Sequence, residues 1–308
     1  MEYILLVIAL AGLAIKGYCG KKTSLAVARI GDAFRFNAVR LAFCLAIGIL
    51  PVLAEGASLA IDGRMAVVCL LAGVTNAGFL VCWVLAVRKI AMVTVDVALT
   101  LGSLLPAVLC LILFGEPISY GSLAGFALIL LAALILASYS RGQKGGFSLS
   151  AALLMVGAAV CDGLTAFCQQ LYRQYCAEGG AYADGATYSA SVYNFYIYLF
   201  ALAALFVVLA VWHFVGREER SREAAVRLKK ATPYIFVMAL CLFAVTYAQT
   251  LATTAYGMPA QVLYPALKGG CLVIVNFTGM IFFGEKMTRQ SLVGSIIALL
   301  GMIMVNVL

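Results

Sequence analysis

Phe114-Gly-Glu-Pro-Ile-Ser119 and Phe283-Gly-Glu-Lys-Met-Thr288 end two long apolar runs in the same way. In each, Phe-Gly-Glu closes the run, a hydroxyl residue follows three positions after the Glu, and another apolar run begins. A motif that recurs at the same kind of joint marks a duplicated unit. Offsetting the chain by 169 positions sets Ser122-Leu123-Ala124-Gly125 on Ser291-Leu292-Val293-Gly294. Upstream, the run from Val93 falls on the run from Val262, and the run from Met65 on that from Tyr234. The first runs of each half need a shorter offset, which sets Asn37 near Asn194 and Gly12-Leu13 near Gly163-Leu164.

The runs are long enough to decide the solvent. Of 308 residues, 65% are hydrophobic and 11% charged, against about half and a quarter in soluble domains. That much apolar surface has to face lipid. Runs of about 20 apolar residues, enough to cross ~30 Å of hydrocarbon as helix, occur at 2–18, 34–54, 65–87, 91–114, 120–138, 149–171, 188–214, 232–253, 259–283 and 290–308. The alternation of a β-barrel is absent. The sequence therefore predicts an all-α integral membrane protein. Its ten transmembrane helices form two five-helix repeats, residues 1–146 and 147–308. An odd number of crossings turns the second copy over, so the repeats are inverted. Such repeats mark secondary transporters, whose sites lie near the midplane between the halves.

Charge follows topology. Of 21 Lys and Arg residues, 18 lie at the joints that follow odd-numbered runs or at the helix ends beside them. The positive-inside rule places those joints in the cytoplasm and both termini outside. The expected location is the cell inner (plasma) membrane, as a multi-pass protein. The stretch 217–230 is expected to be a solvated helix or hairpin. The first run lacks a basic leader and a cleavage site, so it reads as a mature helix. Eight of ten cysteines lie inside runs and no CxxC occurs, which fits packing better than disulfides or metal. No Walker A, dinucleotide-binding or HExxH pattern is present. No enzyme activity, cofactor, metal or nucleic-acid partner is expected, and any pumping must use an ion gradient or exchange.

The five-run unit, ending in an apolar run, Gly-Glu, a hydroxyl residue and a last Gly-containing run, resembles the drug/metabolite transporter superfamily, and within it the ten-helix EamA type. The residues that carry this are Phe114–Ser119 with Gly125, and Phe283–Thr288 with Gly294. Phe34–Phe43 resembles the Arg-bearing start of the second span in that group. The resemblance implies export or uptake of amino acids and other small metabolites. Small multidrug transporters, four-span relatives, carry an essential first-span carboxylate eight residues before a Lys. Asp162 precedes Gln170 by eight and occupies that place in the second repeat; in the first, Lys16 matches the Lys while Ile8 stands at the acidic position.

Polar residues inside apolar runs are costly and mark function. Asp162, Asp96 and Lys268 are the candidates for proton coupling or substrate contact. Alternatively they form salt bridges that hold helices together. Together they could clamp a zwitterion, with Lys268 on its carboxylate or phosphate. Arg40, Asn37, Thr75, Asn76, Asn194, Tyr196, Tyr247, Gln249 and Tyr264 are the candidate cavity residues. Tyr193 reads as part of an interfacial aromatic belt and Trp83 as packing or lipid-facing. Pro106 and Pro265 suggest locally opened helices. Glu116 and Glu285 read as joint residues that accept backbone N–H groups at a helix start. The expected function is secondary active transport of a small polar or zwitterionic metabolite, as proton-coupled efflux or exchange. The duplication makes a monomer sufficient. Alternatives are a flippase for a lipid-linked head group and a non-transporting membrane assembly or sensor.

Overall fold

The computed structural model describes residues 2–23, 26–27, 29–89, 92–116, 119–140, 149–214, 222–283 and 289–307. They form helices α1 (Glu2–Thr23), α2 (Ile30–Glu55), α3 (Gly63–Lys89), α4 (Met92–Gly102), α5 (Leu104–Phe114), α6 (Tyr120–Ser140), α7 (Leu149–Tyr175), α8 (Ala190–Phe214), α9 (Arg222–Thr254), α10 (Ala260–Phe283) and α11 (Arg289–Val307). No strand occurs among the described residues. Among the described residues, seven segments are long and apolar enough to cross a membrane: Ile4–Thr23, Ile30–Glu55, Gly63–Lys89, Val95–Phe114, Leu149–Tyr175, Ala190–Phe214 and Ala225–Thr254. The protein is a multi-pass helical membrane protein. Shorter apolar stretches occupy Tyr120–Ala132, Ala260–Val275 and Leu292–Gly301.

Each apolar run is helical, but the helices outrun the runs. α1 continues to Thr23 and α2 starts at Ile30. Lys16 and Arg40 are therefore two and three turns inside their helices, deeper than the apolar runs suggest. The stretch 217–230, expected as a solvated helix or hairpin, is from Arg222 onward the largely exposed first part of α9; residues 217–221 lie outside the described residues.

The fourth run is two helices that meet at Ser103. Pro106 has no N–H for the carbonyl of Gly102, four residues back, and its ring crowds that carbonyl. Ser103 closes the joint locally: its N–H reaches Leu99 O at 3.1 Å, and its hydroxyl donates to Thr100 O at 2.7 Å. The released Gly102 carbonyl lies so close to Gly163 of α7 that a Cβ there would meet it at 2.5 Å. A Cβ on Gly102 would in turn meet Ala159 O at 2.3 Å. α4 and α7 thus touch backbone to backbone, as small residues permit between membrane helices. The opening expected at Pro265 is not found; α10 runs through it unbroken.

The Phe-Gly-Glu joint has a local cause. Gly115 caps α5 at φ 65°, a left-handed conformation, and donates its N–H to Leu111 O at 3.1 Å. Ser119 caps α6, its hydroxyl accepting the Ser122 N–H at 3.0 Å. Among the described residues, the partners of Glu116 come from α7 and not from the start of α6. Its carboxylate accepts Gln174 Nε2 at 3.2 Å and faces Arg173 at 3.7 Å, tying the joint to the end of α7. Glu285 and the rest of the second joint, 284–288, lie outside the described residues.

α6 lies against α11, α2 against α8, α3 against α7 and α8, and α9 against α1 and α2. α7 also receives α4 and α5, while α10 contacts α1, α4, α5 and α11. The core fills the space where α1, α3, α7, α8, α9 and α10 converge.

Candidate functional site

A cavity of about 70 Å³ opens at that convergence. On a scale where one water occupies roughly 10–15 Å³, it holds several. Six of the residues singled out by polarity line it: Asp162, Lys268, Asn76, Asn194, Gln249 and Tyr264. Lys16, Ser103, Thr165, Gln169, Tyr193 and Thr246 join them. A smaller cavity of about 20 Å³ adjoins it through Leu13, Lys16 and Lys268, and is completed by Gly17, Trp83, Asp96, Leu99 and Cys271.

Two charges satisfy each other. Lys268 Nζ donates to Asp162 Oδ2 at 2.5 Å, joining the middle of α10 to the middle of α7. Gly163, packed on Gly102, fixes the rotation of α7 that turns Asp162 inward. Three other charges are left over. Lys16 is 8% exposed and its ammonium sits over the rings of Phe79 and Trp83, 5.4 and 5.6 Å from their centres. No hydrogen bond or ion pair joins Lys16 to another described residue. Asp96, 6% exposed, has an unpartnered carboxylate oxygen facing no donor. Arg40 is wholly buried, and none of its three guanidinium nitrogens meets an acceptor among the described residues. Unpaired buried charge costs several kcal/mol, so this centre is not arranged for stability.

A polar network forms one wall. Thr250 Oγ1 accepts Gln169 Nε2 at 2.6 Å and Asn194 Nδ2 at 3.1 Å. The Tyr264 hydroxyl lies 2.8 Å from Gln169 Oε1 and from the Ala166 carbonyl, and accepts Gln170 Nε2 at 3.3 Å. Gln170 also accepts Arg173, which reaches the Gly257 carbonyl and Glu116. The network thus links α7, α8, α9 and α10 from cavity to rim. Asn76 Nδ2, Tyr193 Oη and Asn194 Oδ1 are buried with no partner among the described residues.

The remaining predicted residues lie elsewhere. Asn37 is buried between α2 and α3, its amide donating to Ala33 O and Leu80 O at 3.0 and 3.2 Å. Thr75 sits behind the cavity wall, its hydroxyl 2.9 Å from that of Thr165. Tyr196 and Tyr247 belong to the rim. Tyr196 donates to Leu59 O, and Tyr247 to Glu55 at 3.1 Å, beside the Ser191 hydroxyl on the same carboxylate. Tyr193 does not form part of a belt: it is fully buried and lies flat on Tyr172, with ring centres 4.1 Å apart. Trp83 is buried packing. Lys16 was missed as a site residue because it appeared to end its run. Ser103, Thr165, Gln169 and Thr246 carry little signal, since hydroxyls and amides bond readily to nearby helix carbonyls.

No family model matches the chain. No curated protein matches it. A crystal structure described only as that of a protein aligns over 98% of this chain and 96% of that one, at TM-score 0.67 and 15% identity. That likeness shows a shared fold.

Proposed function

We propose that this protein is a secondary active transporter of a small polar or zwitterionic metabolite, built as ten spans in two inverted five-span repeats of the EamA type and coupled to protons. The observation that carries this is the packing around the central polar cavity. Exchange the halves, so that α1, α2, α3, α4–α5 and α6 become α7, α8, α9, α10 and α11. The α3–α7 contact then becomes α9–α1, α3–α8 becomes α9–α2, α4–α6 becomes α10–α11, and α4–α7 becomes α10–α1; all are present. α2–α8 and α6–α11 map onto themselves.

The charges sit on exchanged helices with opposite signs in the two halves, though not at matching positions. Lys16 lies on α1 and Asp162 on its exchange partner α7, two turns apart in register, while Asp96 on α4 and Lys268 on α10 fall three positions apart. A site on the exchange axis, reached by equivalent helices from both halves, is where rocking of one half on the other alternates access. Asp162 is the candidate proton carrier: it is central, lines the cavity and is paired with a cation whose hold on it a bound solute or proton can change. The basic ends of α1 (Lys21, Lys22) and α3 (Arg88, Lys89) support an orientation with those ends toward the cytoplasm, and one chain suffices for the cavity.

The test is solute exchange in proteoliposomes under an imposed pH gradient. Asp162→Asn is expected to fold and to lose the pH-driven component. Full pH-driven exchange by that variant would overturn the coupling role, and absence of flux for amino acids, amines and sugar phosphates in the wild type would overturn the transport reading.

A further inference from the structure

The Lys268–Asp162 pair is satisfied within the protein, which leaves it a poor first contact for a solute. Lys16 and Asp96 differ in every respect that matters. Both are more than nine-tenths buried, both line the same small cavity, and no ion pair joins them. Their neighbours do not neutralise them either. The charged groups around this point are Lys16 from α1, Arg40 from α2, Asp96 from α4, Asp162 from α7 and Lys268 from α10. With Asp162 and Lys268 paired, one anion and two cations are left. Lys16 also lines the larger cavity, so a solute held there reaches it without displacing a side chain.

We propose that Lys16 and Asp96 form the charge-reading subsite of this protein, taking a solute that carries a carboxylate and an ammonium on adjacent carbons. The carboxylate sits on Lys16 and the ammonium on Asp96. The rest of the solute extends into the larger cavity, which Asn76, Tyr193 and Asn194 line, each with one buried polar atom that has no partner among the described residues. A bare anion would gain Lys16 but meet Asp96. A bare amine would gain Asp96 but meet Lys16, with Arg40 close by. Only a solute with both charges answers both residues, which reassigns the carboxylate from Lys268 to Lys16. The assignment rests on the transport reading for its purpose, but the binding it describes is measurable without flux.

Trp83 lies against Lys16 and lines the same small cavity, which makes it a local reporter. The chain has two tryptophans, so Trp212→Phe isolates its emission. In detergent-purified protein of that background, glycine is expected to change the emission saturably. Acetate and methylammonium should each need at least ~10-fold higher concentration, the ratio that one lost charge contact of ~1.4 kcal/mol gives. Lys16→Met and Asp96→Asn should each weaken glycine binding at least ~10-fold on the same scale. Lys16→Arg, which keeps the charge, should retain it. Should Lys16→Met elute as aggregate, the Asp96→Asn and Lys16→Arg pair decides alone. Acetate binding as tightly as glycine, no saturable glycine response, or glycine binding unchanged by both neutral variants would overturn the subsite. Saturable binding with no flux of glycine in proteoliposomes would leave the subsite standing and count against transport.

Discussion

Cutting the Lys268–Asp162 pair from either side has a calculable cost. At 2.5 Å and an effective dielectric of about 20, the gross attraction is about 6–7 kcal/mol. Desolvation cancels much of this, and removing one partner of a buried pair typically costs about 3–5 kcal/mol. Here the side chains keep 16% and 19% of their exposure and line a cavity wide enough for water, which argues for the lower end. Asp162→Ala and Lys268→Met are therefore each expected to destabilise the protein by about 3 kcal/mol. The double variant strands neither charge. It should cost at least about 2 kcal/mol less than the sum, since groups in direct contact are not additive. Equilibrium unfolding in mixed micelles, run on the wild type, both singles and the double, measures this coupling. Additivity within about 0.5 kcal/mol would mean the two charges do not depend on each other, and the placement of Asp162 and Lys268 as a mutual pair would fall.

Gly163→Ala drives a Cβ against the Gly102 carbonyl and to 3.0 Å from Leu105 Cβ, and backbone cannot step aside as a side chain can. A loss of about 2–3 kcal/mol is expected in the same unfolding assay, whereas Gly31→Ala, whose Cβ would find only Trp212 Nε1 at 3.7 Å, should change stability by less than about 0.5 kcal/mol. Equal effects of the two would contradict the α4–α7 contact. Cys176, just past the end of α7, is 1% exposed, and burial pushes its thiol up from 9.0 to about 11. Because the thiolate is the reactive form, its alkylation followed by peptide mass spectrometry should be slow at pH 7 and rise about tenfold per pH unit toward pH 10; a rate flat with pH would refute that burial.

How much was legible follows from what membrane insertion demands. A helix needs about 20 apolar residues to cross, so every apolar run announced a helix. Nothing in that demand says where a helix stops once it leaves lipid, and α1, α2 and α9 continue through Lys22, Asp32 and Arg227. The break in the fourth run was visible as Pro106, but Pro265 carries the same signal and α10 stays whole; neighbouring helices decide which proline opens. Asp162, Lys268, Asn76, Asn194, Gln249 and Tyr264 were legible because a polar group within such a run requires a partner or a cavity. Tyr196 and Tyr247 were not distinguishable from them, since a tyrosine near a helix end serves the rim equally well. That Lys268 is satisfied while Lys16 and Asp96 are not depends on distances between α1, α4, α7 and α10, which no single stretch encodes. The ties of Glu116 were hidden for the same reason: Arg173 and Gln174 arrive from another helix.

The Lys268–Asp162 pair also sets an order of events during synthesis. α7 leaves the ribosome roughly 100 residues before α10, which at about 5–20 residues per second is an interval of about 5–20 s. Through that interval Asp162 has no lysine to meet, and a lone acidic residue at the centre of a spanning helix opposes insertion by about 2.5–3.5 kcal/mol. The helices already made can shelter it. α3 and α4 lie along α7, Gly163 seats on Gly102, and the Thr165 hydroxyl meets that of Thr75. The first half thus acts as a nursery for the second, holding an acidic helix in place until its counter-ion is translated.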